Sequence, residues 1–258
     1  MKFGVVIPSR CAQRPGGRYI EDVGPELWLD GAIASVKAQR GFCERDWDIV
    51  VGLSPGQLVP PHIWDHAAVV WAKVPGQAAA VNVAAEVAIL DSDVLMILED
   101  DDLWHPDKTV TQLPYLGNSP FVSCSAKIVD EGRTFQVGWS DYPTPSSWMM
   151  AANVWRRVGG MDERLKWLVD TEWLGRLGDT KIARTHLLER SVGDSGREVS
   201  RFAWRSSEVC RCSCADPLVV RTLNSSGGMA TVQGTVEAGR EADLEAAEIR
   251  EKFGCDPW

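Results

Sequence analysis

The sequence has no apolar run that approaches the ~20 residues of a membrane-spanning helix. The apolar stretch near the N-terminus, residues 3–7, is too short for a secretory signal peptide and is followed by Pro8. We therefore expect a cytoplasmic protein without a membrane span.

Positive charge is also scarce. The chain has 27 Lys and Arg residues against 36 Asp and Glu residues, which gives a formal net charge of −9. This balance argues against a nucleic-acid binder that relies on a broad basic surface.

The cysteines do not form pairs that would suggest a disulfide framework, because there are seven of them and they are scattered. Cys210, Cys212 and Cys214 alternate, so on a strand they would point to one side. A structural zinc site is one alternative, but its ligands are usually spaced more widely. We favour buried or surface thiols and leave the role of these three open.

What the chain does contain is an alternation of strand and helix patterns, within a length of 258 residues that suits one large domain or two small ones. Short apolar runs predict strands, and apolar residues at helical spacing predict helices between them. The first half contains strands at 3–7, 48–53, 69–72 and 94–98 and helices at 25–39 and 76–90. This order predicts an α/β fold with a doubly wound mixed sheet flanked by helices.

The second half is less regular. Its predicted elements are strands at 121–126 and 135–139 and helices at 151–158, 170–177 and 235–253. We predict a main domain at 1–205 and a C-terminal extension at 206–258 with a loop and a polar helix. Leu244, Ala247 and Ile249 give that helix a thin apolar stripe, which either packs on the domain or joins a second copy in a homo-oligomer.

Four consecutive carboxylates, Glu99, Asp100, Asp101 and Asp102, directly follow the apolar run at 94–98. That run predicts a strand buried on both faces, and open α/β sheets bind ligands beyond the carboxyl ends of such strands. Hard oxygen ligands suit Mg²⁺ or Mn²⁺, and a partly filled shell leaves room for substrate phosphates. The alternative is an acidic, solvated turn.

Six short motifs follow one another in a fixed order between residues 3 and 190. They are, in chain order, Ile7-Pro8-Ser9, Ser35 with Gln39, Gly76 with Asn82, 98–108, 158–163 and Asp170-Thr171-Glu172. In this order and spacing they resemble the family-2 inverting glycosyltransferases, which have the GT-A fold. The resemblance implies a metal-dependent enzyme that moves a sugar from a nucleotide-diphosphate sugar to an acceptor hydroxyl with inversion.

The resemblance also implies roles for individual residues. Asp101 is the expected direct ligand of Mn²⁺ or Mg²⁺, with Asp102 and Glu99 as further ligands, and Asp170 is the expected catalytic base. Substrate contacts are expected from Pro8, Ser9, Arg10, Asn82, Asp100, Gly159, Gly160 and Glu172. Structural alternatives remain: Asp170 as a helix N-cap with Glu172 in a capping box, and Gly159-Gly160 as a helix C-cap. Lys108 is a further candidate for phosphate.

Two features of the sequence keep rival functions open. The second strand ends in Leu53-Ser54 without the carboxylate that reads the base in this family, so the nucleotide and the acceptor are not assigned. This absence fits a non-catalytic carbohydrate-binding protein. The stretch from Arg14 to Arg18, with Gly16 and Gly17, weakly resembles the glycine-rich loop of a sugar-nucleotide nucleotidyltransferase.

Overall fold

The computed structural model describes residues 1–14, 19–20, 24–130, 136–189, 208–212, 218–223 and 236–254. The strands are β1 (Phe3–Ser9), β2 (Tyr19–Ile20), β3 (Gly24–Pro25), β4 (Trp47–Leu53), β5 (Ala68–Trp71), β6 (Val94–Ile97), β7 (Leu103–Trp104), β8 (Phe121–Cys124), β9 (Ala126–Asp130), β10 (Gln136–Ser140), β11 (Met149–Ala151), β12 (Arg184–Glu189), β13 (Glu208–Cys212) and β14 (Val219–Leu223). The helices are α1 (Trp28–Lys37), α2 (Gln77–Ala88), α3 (Lys108–Leu116), α4 (Ala152–Val158), α5 (Val169–Asp179) and α6 (Val236–Phe253).

The main sheet has eight described strands in the order β13-β12-β8-β11-β6-β1-β4-β5. Strand β11 runs antiparallel to β6 and β8, and the other described pairs of this sheet are parallel. The chain starts at β1 in the interior of the sheet and winds outward in both directions. This arrangement confirms the predicted doubly wound mixed sheet.

Both faces of the central strand are covered. Val5 and Ile7 of β1 pack in the hydrophobic cluster that contains α1, whereas Val6 packs on the other face in the cluster that contains α2 and α5. Every residue of β1 and β6 is buried. The apolar runs therefore have the double burial that a helix-covered parallel sheet requires.

Helix α2 lies very close to the sheet because small residues line the contact. A Cβ atom added at Gly52 in β4 would come within 2.0 Å of the backbone oxygen of Ala80. Glycine is therefore required here for the close approach of helix and strand. This contact fixes the N-terminus of α2 beside the ends of β1, β4 and β6.

A second sheet combines residues that are distant in sequence, in the order β10-β9-β14-β7. Strand β14, from the C-terminal extension, pairs antiparallel with β7 and parallel with β9. Because β7 directly follows the four acidic residues, β14 is brought next to them. The division of the chain at residue 205 stays a prediction, but the described strands after it join both sheets.

The C-terminal helix α6 is observed as predicted, although its buried stripe is different. Leu244 is 60 % exposed and Ala247 is exposed, so the predicted stripe is wrong apart from Ile249. The buried side chains recur three or four residues apart: Ala238, Ala242, Ala246, Ile249 and Phe253. The apolar stripe thus packs within this chain, against Leu165 and Leu168, and association through this helix stays a prediction.

Several other elements differ from expectation. Residues 121–126 contain the whole of β8 and the start of β9, which are separate strands because they belong to different sheets. Helix α3, which contains Pro114, was not predicted. Residues 15–18, Cys214 and the expected linker at 224–228 lie outside the described residues. No helix in the described ranges is both long enough and apolar enough to cross a bilayer.

Candidate functional site

The four acidic residues form a tight turn at the carboxyl end of β6. The backbone N–H of Asp102 donates to the backbone oxygen of Glu99 at 3.0 Å, which closes the turn. The backbone N–H of Glu99 donates to Oγ of Ser146 at 3.0 Å. We call residues 99–102 the acidic turn. It lies at the sheet edge where open α/β folds bind ligands, as the sequence predicted.

Asp100 is tied to the end of β1. Its Oδ2 accepts hydrogen bonds from Oγ of Ser9 at 2.6 Å and from the backbone N–H of Arg10 at 3.1 Å. Burial raises the pKa of Asp100, and these two donors oppose the shift. The structure therefore brings together three predicted substrate-binding residues, Ser9, Arg10 and Asp100, directly after the buried Pro8.

Glu99 is linked to the N-terminus of α2. Its Oε1 accepts a hydrogen bond of 2.7 Å from Nε2 of Gln77. Gln77 follows Gly76, whose backbone N–H donates to Oγ of Ser54 at the end of β4. The ends of β4 and β6 and the start of α2 therefore form one continuous edge.

Asp102 is the most buried carboxylate of the acidic turn, with 2 % exposure. Its Oδ1 accepts a hydrogen bond of 3.0 Å from the backbone N–H of Thr222 in β14. Its buried Oδ2 makes no hydrogen bond and lies 3.9 Å from Nε of Arg221. Burial raises the pKa of Asp102 to about 7, although the nearby Arg221 opposes this.

Asp101 lies between these anchored residues. Burial raises the pKa of Asp101 well above its usual value, and the negative charges of Asp102, Glu99 and Asp100 add to the effect. A bound cation would offset this repulsion between carboxylates.

The donor set fits a partly protein-bound divalent cation. Within the described ranges, no group of three or more His, Cys, Asp and Glu residues is placed to hold a metal ion. Mg²⁺, however, is usually bound through one or two carboxylates, with water and substrate phosphates completing its shell. The hard oxygen atoms of Asp101 and Glu99 suit that arrangement.

Asp170 faces the same region from the start of α5. Burial raises the pKa of Asp170 to about 6, and the negative charge of Glu99 adds to the shift. Asp170 is the second residue of the helix, and its Oδ1 accepts from the backbone N–H of Thr171 at 2.9 Å. The N-cap is Leu168, so the alternative role of Asp170 as a cap is wrong.

Arg221 and Tyr142 were not predicted as site residues. Nε of Arg221 lies 3.9 Å from Oδ2 of Asp102, and the charge of Arg221 lowers the pKa of both Asp102 and Asp170. The hydroxyl of Tyr142 shares a hydrogen bond of 2.8 Å with Oγ1 of Thr171, and burial followed by the charge of Asp170 raises the pKa of Tyr142 well above its usual value. Only long-range strand pairing and loop packing bring these residues here, and the sequence carried no local signal for them.

Glu172 has structural contacts instead of an open binding surface. It is 2 % exposed, and its carboxylate accepts hydrogen bonds from Arg176 at 2.7 to 3.0 Å and from Nζ of Lys252 in α6 at 2.6 Å. The expected capping box is therefore absent from α5, because this carboxylate joins two helices.

Asn82, Gly159 and Gly160 form a packed corner. The side-chain amide of Asn82 bonds both the backbone N–H and the backbone oxygen of Met161, at 2.7 and 2.9 Å. A Cβ atom at Gly160 would lie 2.7 Å from Oδ1 of Asn82. Gly159 has a φ of 86° and is the C-cap of α4, which matches the structural alternative. Substrate binding by Asn82, Gly159 and Gly160 remains a prediction.

Lys108 does not face a phosphate site. Its ammonium donates to Oε1 of Gln112 at 2.7 Å and lies 4.3 Å from the ring centroid of Trp104. Burial lowers the pKa of Lys108 to about 7. The predicted phosphate contact from Lys108 is therefore wrong, and the residue belongs to the core beneath the acidic turn.

No protein-family model matches the chain, and a search of curated proteins finds no match. Solved structures do match. Crystal structures of S. aureus TarS residues 1–349 are similar to this chain with TM-scores of 0.54 for one structure, 0.56 for the complex with UDP and 0.55 for the complex with UDP-GlcNAc. Sequence identity is 13, 12 and 12 %, respectively.

These matches cover 86, 99 and 99 % of this chain, and 60, 72 and 74 % of the TarS chains. The chain thus spans less than two thirds of the first of these structures. At this identity the likeness shows the fold. The present chain has the same fold as these structures, which confirms the predicted GT-A-type α/β fold.

Proposed function

We propose that this protein is a glycosyltransferase that transfers a sugar from a nucleotide-diphosphate sugar to an acceptor hydroxyl, with Mn²⁺ or Mg²⁺ as cofactor and with inversion. One observation carries the proposal. The acidic turn and Asp170 lie close enough for the charge of Glu99 to raise the pKa of Asp170. The candidate cation-binding turn and the candidate base are therefore close to one another.

The transfer reaction gives separate tasks to the acidic turn and to Asp170. In the transfer, the bond between the anomeric carbon and the β-phosphate oxygen breaks, and the nucleoside diphosphate leaves with the electron pair. The acceptor oxygen forms the new bond to that carbon from the opposite face, and its proton passes to the carboxylate of Asp170. A carboxylate with a raised pKa suits this role because it holds a proton more readily than an ordinary aspartate.

Asp101 and Glu99 would hold the metal ion, which when bound supplies Lewis-acid stabilisation of the leaving diphosphate. Asp100 fixes the end of β1, so that Ser9 and Arg10 face the donor. Glu99 is held in place by the hydrogen bond that its side chain accepts from Gln77 and by the one that its backbone N–H donates to Oγ of Ser146. Preorganised groups of this kind need no rearrangement when charge develops on the leaving group.

The nucleobase is the part of the donor that the proposal specifies least. The turn after β4 offers Oγ of Ser54 and the amide of Gln57, whose Oε1 accepts from the backbone N–H of Ser54 at 2.6 Å. Because TarS was crystallised with UDP and UDP-GlcNAc, uridine donors are the first to test.

A donor-hydrolysis assay tests the proposal. Purified protein is incubated with UDP-, GDP-, CDP- and dTDP-sugars, each with and without Mn²⁺, and the products are separated. Metal-dependent release of free sugar and nucleoside diphosphate supports the glycosyltransferase, and NMR of the first-formed sugar gives its anomeric configuration. Pyrophosphate release from a nucleoside triphosphate would point instead to a nucleotidyltransferase. Sugar binding without turnover would point to a carbohydrate-binding protein.

A further inference from the structure

Strand β14 of the C-terminal extension is fixed to the acidic turn. It pairs with β7, where Val219 and Val220 lie opposite Trp104 and Leu103. The hydrogen bond from the backbone N–H of Thr222 to Oδ1 of Asp102 adds a second attachment, across 120 positions of sequence. One carboxylate of the turn is therefore already used to hold a strand.

Arg221 precedes Thr222 and points toward the same carboxylate. Its Nε lies 3.9 Å from Oδ2 of Asp102, which is too long for a hydrogen bond. The Arg221 side chain is 30 % exposed, whereas that of Asp102 is 2 % exposed. The Arg221 side chain is thus close enough to Asp102 for the two charges to attract one another, and part of the side chain faces solvent.

Arg221 lies beside the candidate metal-binding residues of the acidic turn. Its Nε is 3.9 Å from Oδ2 of Asp102, the residue that follows the candidate metal ligand Asp101. A donor diphosphate bound at the acidic turn would bring two phosphates into this space. Arginine is well suited to them, because its planar fork donates two parallel hydrogen bonds to phosphate oxygens.

We propose that Arg221 binds the diphosphate of the donor, and that Asp102 anchors β14 and orients Arg221 instead of binding the metal ion. This proposal rests on the proposed function. It makes the C-terminal extension part of the donor site and leaves Asp101 and Glu99 as the metal ligands.

Calorimetric titration of UDP, UMP and inorganic pyrophosphate in the presence of Mn²⁺ tests the role of Arg221. We expect Arg221→Gln to weaken UDP and pyrophosphate binding at least tenfold, while UMP binding changes less than threefold. Arg221→Lys should weaken the binding of UDP and pyrophosphate less than Arg221→Gln does, because lysine keeps the positive charge but lacks the planar guanidinium group. Arg164→Gln is the matched control, since Arg164 is exposed and pairs with Asp162 on the surface.

Equal losses for UDP and UMP in Arg221→Gln, or no loss for either, would overturn the role of Arg221. Arg221→Gln alone leaves the buried carboxylate of Asp102 without its neighbouring positive charge. The double variant Asp102→Asn/Arg221→Gln removes both charges, and it should show the same selective loss of UDP and pyrophosphate binding. If the wild-type protein binds none of the three probes with Mn²⁺, the proposed function itself fails.

The role of Asp102 has a separate test. Mn²⁺ binding in the presence of UDP is followed by electron paramagnetic resonance. Asp101→Asn should weaken Mn²⁺ binding at least tenfold, whereas Asp102→Asn should stay within twofold of wild type, because the amide oxygen still accepts from Thr222. Equal losses in the two variants would show that Asp102 binds the metal.

Discussion

Two carboxylates only two positions apart on α5, Asp170 and Glu172, have opposite environments. Glu172 accepts hydrogen bonds from Arg176 and Lys252, so its charge is matched within the protein. Asp170 faces the negative charge of Glu99, and its pKa is raised to about 6 by burial and by that charge. Pairs of acids whose environments differ in this way commonly have different tasks. We assign Glu172 to structure and Asp170 to chemistry.

Asp170→Asn tests this assignment. The amide keeps the shape of the side chain but cannot take the proton of the acceptor, so we expect transfer to fall by about 10²–10⁴-fold. Mn²⁺-dependent binding of UDP, measured by calorimetry, should change little. Asp179→Asn, at the exposed end of the same helix, is the matched control and should leave both quantities unchanged. Joint loss of transfer and nucleotide binding in Asp170→Asn would indicate a structural role.

The raised pKa of Asp170 predicts a pH profile. A general base acts when ionised, so kcat/KM should rise about tenfold per pH unit below about 6 and level off above it. Arg221 lowers this pKa, and Arg221→Gln should therefore move the midpoint to higher pH. The measurement is donor hydrolysis at saturating Mn²⁺ between pH 4.5 and 8. A midpoint near the ordinary value of an aspartate, about 4, would contradict the role.

At the scale of elements, helix α6 holds the start of α5 in place. The carboxylate of Glu245 accepts from the backbone N–H groups of Lys166, Trp167 and Leu168, at 2.7, 2.9 and 2.9 Å. At the C-terminal end of α6, the ring of Phe253 packs against Gly175 of α5. Helix α6 therefore contacts both the segment that leads into α5 and α5 itself, and it fixes the segment that carries Asp170.

Gly175→Ala tests how closely these helices pack. A Cβ atom there would lie 2.6 Å from Cε2 of Phe253, and we expect a loss of about 1–3 kcal/mol in the free energy of unfolding. In a Phe253→Ala background the same change should stabilise the protein by about 1 kcal/mol, because alanine favours helix over glycine. Both values come from urea denaturation.

Gly178→Ala is the control on the same helix, since its nearest neighbour, Nη1 of Arg184, would lie at an ordinary 3.5 Å. We expect it to be neutral or slightly stabilising. If Gly175→Ala costs the same with and without Phe253, the two residues do not pack as described.

The sequence predicted the elements of the first half well because each one carries its own signal. The apolar run of β6 and the alanine-rich face of α2 are local patterns, and their bounds were nearly right. Strand β14 has only five residues, and its place between β7 and β9 depends on partners more than 80 positions away. Arg221 was therefore not predicted as a site residue, whereas Asp101 and Asp170 were assigned roles through the resemblance. Helix α3 was missed because Pro114 is disfavoured within helices.

At the scale of the whole molecule, the site draws on distant parts of the chain: the ends of β1 and β6, the starts of α2 and α5, and strand β14. A ligand that contacts all of them binds the folded chain and not the unfolded one. It must then raise the free energy of unfolding by mass action, by about 2.7 kcal/mol at a concentration 100 times its dissociation constant.

This gives a prediction for thermal unfolding. UDP and Mn²⁺ added together, near that concentration, should raise the Tm by about 5–11 °C, because 1 kcal/mol corresponds to about 2–4 °C for a chain of this size. Each added alone should shift the Tm less, since in the proposed site the metal ion and the diphosphate complete one another's contacts. Asp101→Asn should remove the part of the Tm increase that requires UDP and Mn²⁺ together. A Tm that responds to neither ligand would show that the ends of these strands and helices do not form a nucleotide site.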